Sequence, residues 1–357
     1  MMLPLRQKIG LALVKPTIDR VITEHPLTTL FWECTLRCNL HCRHCGSDCH
    51  VTSALKDMPL EDFLPVLDSI AKAQDPHEVM INVTGGEPLM RKDLEVCGKA
   101  FYQREFPWGI VTNGQLLTPK RFQSLLQSGL RSVTVSLDGI GETHEWMRGL
   151  AGSYPKALEA ARMVAASGAV EYDVVTCVNK RSYKELDQIK ELLIGSGIKA
   201  WRLFTVFPVG RAASDPELRL SGEEFRGLME FIKRTRKEGR IKASYGCEGF
   251  LGKYEGDVRD NFFLCNAGIT TGSIMADGSI AACPSIRADF SQGNIYKGDD
   301  FMDVWNNRYQ AYRDRSWMKT GECAACKYWK YCRGNGMHLR DANGKLLFCH
   351  FHRLQEK

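Results

Sequence analysis

The sequence lacks long hydrophobic runs. Among its 357 residues, no stretch of about 18 consecutive apolar side chains occurs, and a membrane-spanning helix needs at least that length. The apolar stretch at 9–14 is too short and too polar-flanked for a secretory signal peptide. We therefore expect a cytoplasmic protein that no segment holds in a membrane.

A strong excess of one charge is also missing. Lys and Arg number 48 against 42 for Asp and Glu, so the formal net charge is only +6. The densest basic run, 233–242, falls at a predicted helix end and indicates a solvated face. Because no basic, aromatic-rich module accompanies it, we expect no nucleic-acid partner.

Cysteine, in contrast, is abundant, with 14 residues in the chain. Without a secretory signal, a disulfide framework is not expected, and clustered cysteines indicate metal ligands in a reducing compartment. Cys38, Cys42 and Cys45 form the tightest cluster, with the spacing Cys-x3-Cys-x2-Cys. Three thiolates in one short loop can bind three irons of a [4Fe–4S] cluster and leave the fourth iron open for a small molecule. A structural zinc site would instead need four ligands.

The segment around these cysteines, ECTLRCNLHCRHC, closely resembles the radical S-adenosylmethionine (radical SAM) enzymes. The resemblance implies a [4Fe–4S] cluster that binds S-adenosylmethionine (SAM) and reduces it to a 5′-deoxyadenosyl radical. It also implies a reductant such as flavodoxin or ferredoxin. Cys38, Cys42 and Cys45 are the catalytic cluster ligands that it assigns.

The same resemblance assigns residues to SAM itself. The motif Gly85-Gly86-Glu87-Pro88 matches the family's contact with the methionine amino group, and Glu87 offers acceptors to an ammonium. The remaining predicted contacts lie near strand ends or in the cysteine loop, and they are His44, Asn113, Ser136 and Arg148. For Arg148 the alternative is a surface residue, and for His44 it is a solvated loop histidine.

Periodicity independently predicts an α/β fold. From about residue 28, strand, loop and helix alternate six times, which favours a parallel sheet because parallel strands need crossover helices. We expect a partial (β/α)6 TIM-type barrel over 28–241, an N-terminal extension over 1–27 and a small cysteine-rich α+β domain over 242–357. Ser182-x-x-Glu185 and Ser221-x-x-Glu224 predict capping boxes at two of the helices.

The C-terminal cysteines resemble the SPASM extension of this superfamily, which holds auxiliary iron–sulfur clusters. The resemblance implies one or two such clusters. Its outer cluster is complete here, with the ligands Cys323, Cys326, Cys332 and Cys349. Its inner cluster retains Cys265 and Cys283, but Gly336 stands where a further cysteine is expected. Cys247 is our candidate for a third thiolate, and His338 could be a fourth ligand or an ordinary loop histidine.

SPASM-bearing relatives mostly modify ribosomally made peptides or proteins, so a peptide or protein substrate is our leading expectation. Modification of a tetrapyrrole (haem) side chain is the alternative. Sulfatase formylglycine formation is less expected, because those maturases usually have an aspartate base where this chain has Pro284. A non-enzymatic zinc-ribbon protein would explain Cys323-x2-Cys326 but not the cysteines at 38–45.

Overall fold

The computed structural model describes residues 3–246, 248–286 and 290–356. Cys247, one of the predicted ligands, lies outside these described residues. Among the described helices, none combines the length and the apolar character that crossing a bilayer requires.

A ten-stranded sheet organises the described residues, in the order β10-β9-β8-β1-β2-β3-β4-β5-β6-β7. Its strands are β1 (Thr29–Thr35), β2 (Met80–Gly85), β3 (Trp108–Thr112), β4 (Leu130–Ser136), β5 (Glu171–Val178), β6 (Ala200–Thr205), β7 (Lys242–Tyr245), β8 (Thr271–Ile274), β9 (Ser279–Ala281) and β10 (Gly293–Asn294). Neighbouring strands from β8 through β1 to β7 are parallel, whereas β9 and β10 continue the sheet in antiparallel hairpins.

Helices connect the parallel strands and cover the sheet. They are α1 (Leu5–Glu24), α2 (Leu60–Ala73), α3 (Leu94–Gln103), α4 (Pro119–Gln127), α5 (Glu142–Arg148), α6 (Ser153–Ser167), α7 (Lys180–Lys184), α8 (Leu186–Gly195), α9 (Gly222–Glu238), α10 (Phe301–Asn307), α11 (Gln310–Arg313), α12 (Trp329–Cys332) and α13 (His350–Arg353). The core between sheet and helices includes stacked aromatic rings, such as the pair Trp32 and Phe63, whose ring centroids lie 4.6 Å apart.

The predicted α/β class and the six parallel strands β1–β6 are confirmed. Two further parallel strands extend this set, because β7 pairs with β6 and β8 pairs with β1. The first residues after the expected boundary at 241 therefore continue the sheet of the barrel. Because the strands from β8 to β7 are parallel, their carboxyl ends all lie at the same end of the sheet. Functional sites in folds of this kind lie at that end.

One predicted capping box is present and the other was wrong. At α9 the Ser221 hydroxyl accepts from the Glu224 N–H at 3.1 Å, and the Glu224 carboxylate accepts from the Ser221 N–H at 2.7 Å. Ser182 and Glu185 do not form such a pair. Instead, Asn179 caps α7, because its short amide follows β5 directly and its oxygen accepts from the Ser182 N–H at 3.2 Å.

Candidate active site

The three clustered cysteines lie in the loop 36–59, which leaves the carboxyl end of β1. Cys38 and Cys42 are buried, and Cys45 is half-buried. The loop is anchored through its backbone, since the Cys38 N–H donates to the His50 carbonyl at 2.7 Å. The three cysteines therefore lie in the protein at the carboxyl ends of the parallel strands.

Each of the three sulfurs accepts an N–H group. The contacts are the Leu40 N–H to Cys38 Sγ at 3.5 Å, Asn113 Nδ2 to Cys38 Sγ at 3.9 Å, Arg148 Nη1 to Cys42 Sγ at 3.7 Å and the Cys49 N–H to Cys45 Sγ at 3.4 Å. Such donors stabilise thiolates and tune the potential of an iron–sulfur cluster bound by them. The donor set therefore fits cluster ligands better than inert core thiols.

Ionisation of these thiols depends on their surroundings. Burial raises the pKa of Cys38 to about 12 and also raises that of Cys42. The Cys49 thiol donates to Cys45 and lowers the pKa of Cys45 to about 5. Metal binding requires thiolates, so iron bound at this loop would displace protons from the Cys38 and Cys42 thiols.

Gly85 and Gly86 make room for the cysteine loop. A Cβ on Gly85 would lie 2.1 Å from the Thr35 carbonyl oxygen, and a Cβ on Gly86 would lie 2.2 Å from the Arg37 carbonyl oxygen. Gly85 also has a φ of +131°, a conformation that other residues rarely adopt. The two glycines thus bring the end of β2 against the loop just before Cys38.

The Glu87 carboxylate is buried and faces the end of β3. It accepts from the Thr112 hydroxyl at 2.8 Å, the Asn113 N–H at 2.8 Å and the Leu89 N–H at 3.1 Å. Burial raises the pKa of Glu87, although these donors oppose the rise. Glu87 thereby positions Asn113, whose amide reaches Cys38.

Arg148 is buried, so it is not the surface residue that was the alternative. Its Nε lies 2.7 Å from Oδ2 of Asp138, which is fully buried just after β4. Burial alone would raise the pKa of Asp138, but the charge of Arg148 holds it below its usual value. The pair fixes a guanidinium beside Cys42. Nothing in the sequence indicated this pairing.

His44 and Ser136 lie at the same face of the sheet. His44 is largely enclosed, and its Nε2 lies 3.9 Å from Asp138 Oδ2. Burial lowers the pKa of His44 to about 4, so the ring is neutral near pH 7. Ser136 ends β4 and is buried two residues before Asp138.

Arg211 is a contributor to the site that the sequence did not indicate. Its Nε donates to the Cys42 carbonyl at 2.8 Å, and its Nη1 donates to the Cys49 carbonyl at 3.1 Å. Gly210 precedes it, and a Cβ on Gly210 would lie only 2.4 Å from the Cys45 carbonyl oxygen. The segment after β6 therefore holds the cysteine loop by hydrogen bonds between residues about 165 positions apart in the sequence. No local sequence pattern predicts contacts of this kind.

The four cysteines of the predicted outer cluster line one cavity, together with Phe250, Tyr328, Trp329 and Phe351. Arg340, itself buried, donates through Nη2 to Cys323 Sγ at 3.6 Å. Cys323, Cys326, Cys332 and Cys349 are therefore brought together from a span of 27 residues. Four thiolates around an apolar cavity fit a [4Fe–4S] cluster.

The predicted inner ligands are only partly described. Cys265 is buried, and its sulfur accepts from the Met337 N–H at 3.5 Å. Cys283 follows β9 by two residues and is half-buried. Cys247 lies outside the described residues, so its predicted role stays a prediction.

Comparison with known proteins agrees with this arrangement. The family model for the radical SAM superfamily matches residues 32–193, and the model for the SPASM iron–sulfur cluster-binding domain matches residues 265–327. The first match contains the cysteine loop, Glu87 and Arg148. The second contains Cys265, Cys283, Cys323 and Cys326.

Curated relatives share this organisation over most of their length. The AdoMet-dependent heme synthase of Nitratidesulfovibrio vulgaris is 25% identical over 85% of this chain and 85% of that protein. The mycofactocin maturase MftC of Mycolicibacterium smegmatis is 27% identical over 88% of this chain and 79% of that protein. Both are enzymes by name, which excludes the zinc-ribbon alternative.

Solved structures share the fold. SuiB of Streptococcus suis bound to S-adenosylmethionine has a TM-score of 0.69 at 19% identity and covers 88% of this chain and 74% of that chain. Native anSMEcpe with bound AdoMet has a TM-score of 0.70 at 18% identity and covers 92% and 94%. Residues 32–193 therefore form a radical SAM domain and the C-terminal region carries a SPASM domain, and these two domains imply iron–sulfur clusters and SAM as the cofactors of this enzyme.

Proposed function

We propose that Cys38, Cys42 and Cys45 bind the catalytic [4Fe–4S] cluster and that the chain cleaves SAM reductively at it. When bound and reduced, the cluster would supply the one electron that reductive cleavage of SAM requires, and this cleavage would provide the group that takes hydrogen from the substrate. The observation that carries this assignment is the N–H donor facing each of the three sulfurs.

The surrounding residues bind and orient SAM in this proposal. Arg148, held by Asp138 at 2.7 Å, offers a fixed cation to the methionine carboxylate. Glu87 accepts three hydrogen bonds from the protein, and the remaining lone pairs of its carboxylate are available to the methionine ammonium. His44 and Ser136 line the space beside Asp138, and Asn113 orients the sulfur of Cys38.

Replacing Cys42 tests the cluster assignment. We expect Cys42→Ala protein, purified without oxygen and reduced with dithionite, to form no 5′-deoxyadenosine from SAM. Cys97→Ala is the matched control, because Cys97 is a buried thiol of α3 outside the loop. SAM cleavage by Cys42→Ala protein at the rate of the control would refute the assignment.

For the substrate, we propose a side chain of a ribosomally made peptide or protein. A cavity of about 210 Å³ lies at the carboxyl end of β6, where Val206, Pro208 and Phe225 meet Leu347 and Phe348 of the C-terminal region. This volume is below the roughly 300–1,000 Å³ of sites that enclose a small molecule, and it suits a single side chain. The similarity to the mycofactocin maturases supports the same class.

A tetrapyrrole side chain is the second candidate, because heme synthases match this chain over 85% of both lengths. Deuterium transfer separates the two candidates. The enzyme is incubated with SAM, a reductant such as flavodoxin or ferredoxin, and either a deuterated peptide encoded beside its gene or deuterated iron-coproporphyrin. Deuterium in 5′-deoxyadenosine from the peptide alone supports peptide modification, and deuterium from the porphyrin alone overturns it.

A further inference from the structure

Gly336 stands where the SPASM resemblance expects a cysteine, and the structure has no room for one. A Cβ on Gly336 would lie 2.6 Å from the carbonyl oxygen of Glu248. It would also lie 2.6 Å from Cε1 and 3.0 Å from Nδ1 of His338. The imidazole of His338 therefore occupies the space into which the side chain of residue 336 would project.

His338 carries a polar atom with no protein partner. The residue is only 9% exposed, and its Nε2 is buried without a hydrogen bond among the described residues. The ring packs against Phe207 with centroids 4.7 Å apart, so an apolar surface holds one of its sides. Leaving such an atom unpaired costs about 1–3 kcal/mol, which indicates a ligand at this position.

The loop that carries His338 lies at a predicted cluster ligand. The N–H of Met337, the residue before His338, donates to Cys265 Sγ at 3.5 Å. The loop is fixed on its other side, because Asn335 has a left-handed φ of +73° and its amide oxygen accepts from the Phe250 N–H at 3.3 Å. The backbone on the N-terminal side of His338 is thus held at two points, and one of them is the sulfur of Cys265.

We propose that His338 binds an iron of the inner auxiliary cluster through Nε2, in place of the missing cysteine, with Cys265 and Cys283 as thiolate ligands. This proposal rests on the SPASM assignment of those two cysteines and is independent of the substrate. A neutral imidazole brings one negative charge fewer than a thiolate. Histidine ligation therefore raises the reduction potential of the cluster, as it does in Rieske centres.

The test observes the auxiliary clusters alone, in a full-length variant in which Cys38, Cys42 and Cys45 are all alanine. The protein is produced with 15N-labelled histidine, reduced, and measured by pulsed electron paramagnetic resonance. We expect a directly coordinated 15N nucleus in this background. We also expect the coupling to disappear in His338→Cys, with iron retained and a lower midpoint potential.

His352→Gln is the matched control, because His352 is exposed and pairs with Glu322 near the outer cysteines. The coupling must persist in that variant. If the triple-alanine protein shows no coupling between 15N-histidine and a cluster, the proposal is wrong, and no variant at 338 is needed to show it. Coupling that survives His338→Cys would also overturn the proposal. Cys265→Ala tests the assignment on which the proposal rests. If the iron content of that variant were unchanged, both the inner cluster and the role of His338 would be refuted. SAM cleavage by the wild-type chain would not be affected by that result.

Discussion

Asp138 supplies the buried charge that holds Arg148 beside Cys42. Removing one partner of a buried ion pair costs about 3–5 kcal/mol, because the other charge is left uncompensated. We therefore expect Asp138→Asn to lower the free energy of unfolding by about 3 kcal/mol. We also expect it to slow 5′-deoxyadenosine formation at least tenfold while the iron content stays the same.

Asp173→Asn is the control for Asp138→Asn. Asp173 pairs with Arg202 at 2.8 Å, but both side chains are partly exposed. Exposed pairs contribute about 0–1 kcal/mol, so this variant should keep both its stability and its activity. Equal losses in the two variants would show that burial of the Asp138 pair has no special role.

His144 makes the fold sensitive to acid. It lies buried in α5, where its Nδ1 accepts from the Asp138 N–H at 3.1 Å, and burial lowers its pKa to about 4. Because the unfolded chain has the ordinary histidine pKa of about 6.5, it binds more protons than the folded chain between these values. The stability that neutral His144 provides is complete above pH 6.5 and is lost as the pH falls toward 4.

We expect this histidine to cost the protein about 2 kcal/mol of unfolding free energy between pH 7 and pH 5. Urea unfolding at the two pH values measures it. His144→Asn, whose Oδ1 replaces Nδ1 as the acceptor, should lose correspondingly less on acidification. His77→Asn changes an exposed histidine of a surface turn and should behave as the wild type. An unaltered pH slope in His144→Asn would contradict the attribution.

At the scale of elements, the contact between β2 and the cysteine loop depends on Gly86. A Cβ there would meet the Arg37 carbonyl oxygen at 2.2 Å and Cys38 Cβ at 3.1 Å, so Gly86→Ala must displace the loop. We expect that variant to lose the iron of the catalytic site and SAM cleavage with it. Gly46→Ala lies in the same loop with nothing within 4 Å of the added Cβ and should keep both. Iron and sulfide per chain decide between these outcomes.

The elements that sequence reasoning located are those with a local pattern. The strands β1–β6 and the cap at Ser221 follow from periodicity and spacing. The cap at Asn179 was missed because Ser182 and Glu185 have the same spacing as a true box. Which side chain caps the helix depends on the residue at which β5 ends, and a four-residue pattern does not contain that information.

In the site, too, the sequence predicted the residues that share a local motif but not the contacts between distant segments. Cys38, Cys42 and Cys45 could be found from the sequence because one loop carries all three. The clamp by Arg211 and the pairing of Asp138 with Arg148 could not be derived, since they depend on how separate βα units meet in space. The space beside Gly336 that His338 fills is likewise a property of packing.

At the scale of the whole molecule, the C-terminal region extends the parallel sheet β1–β6 at both of its edges. β7 covers the free edge of β6, and β8 covers the edge of β1, the strand that leads into the cysteine loop. The contact also includes side chains, since the hydroxyl of Thr205, the last residue of β6, donates to the Glu248 carboxylate at 2.6 Å. A chain cut after residue 241 would therefore expose both edges of its parallel sheet, and unpaired edges promote aggregation.

We expect residues 1–241 produced alone to aggregate and to show no cooperative unfolding transition. Supplying 242–357 as a separate chain restores the β7 and β8 pairings without the peptide link, so co-expression should return soluble protein that binds iron and cleaves SAM. Size-exclusion chromatography and urea unfolding followed by circular dichroism measure both outcomes. A soluble 1–241 fragment that unfolds cooperatively and cleaves SAM by itself would show that the six-stranded barrel needs neither added edge strand. The expected boundary at 241 would then separate two independent folding units, and β7 and β8 would serve only to dock them.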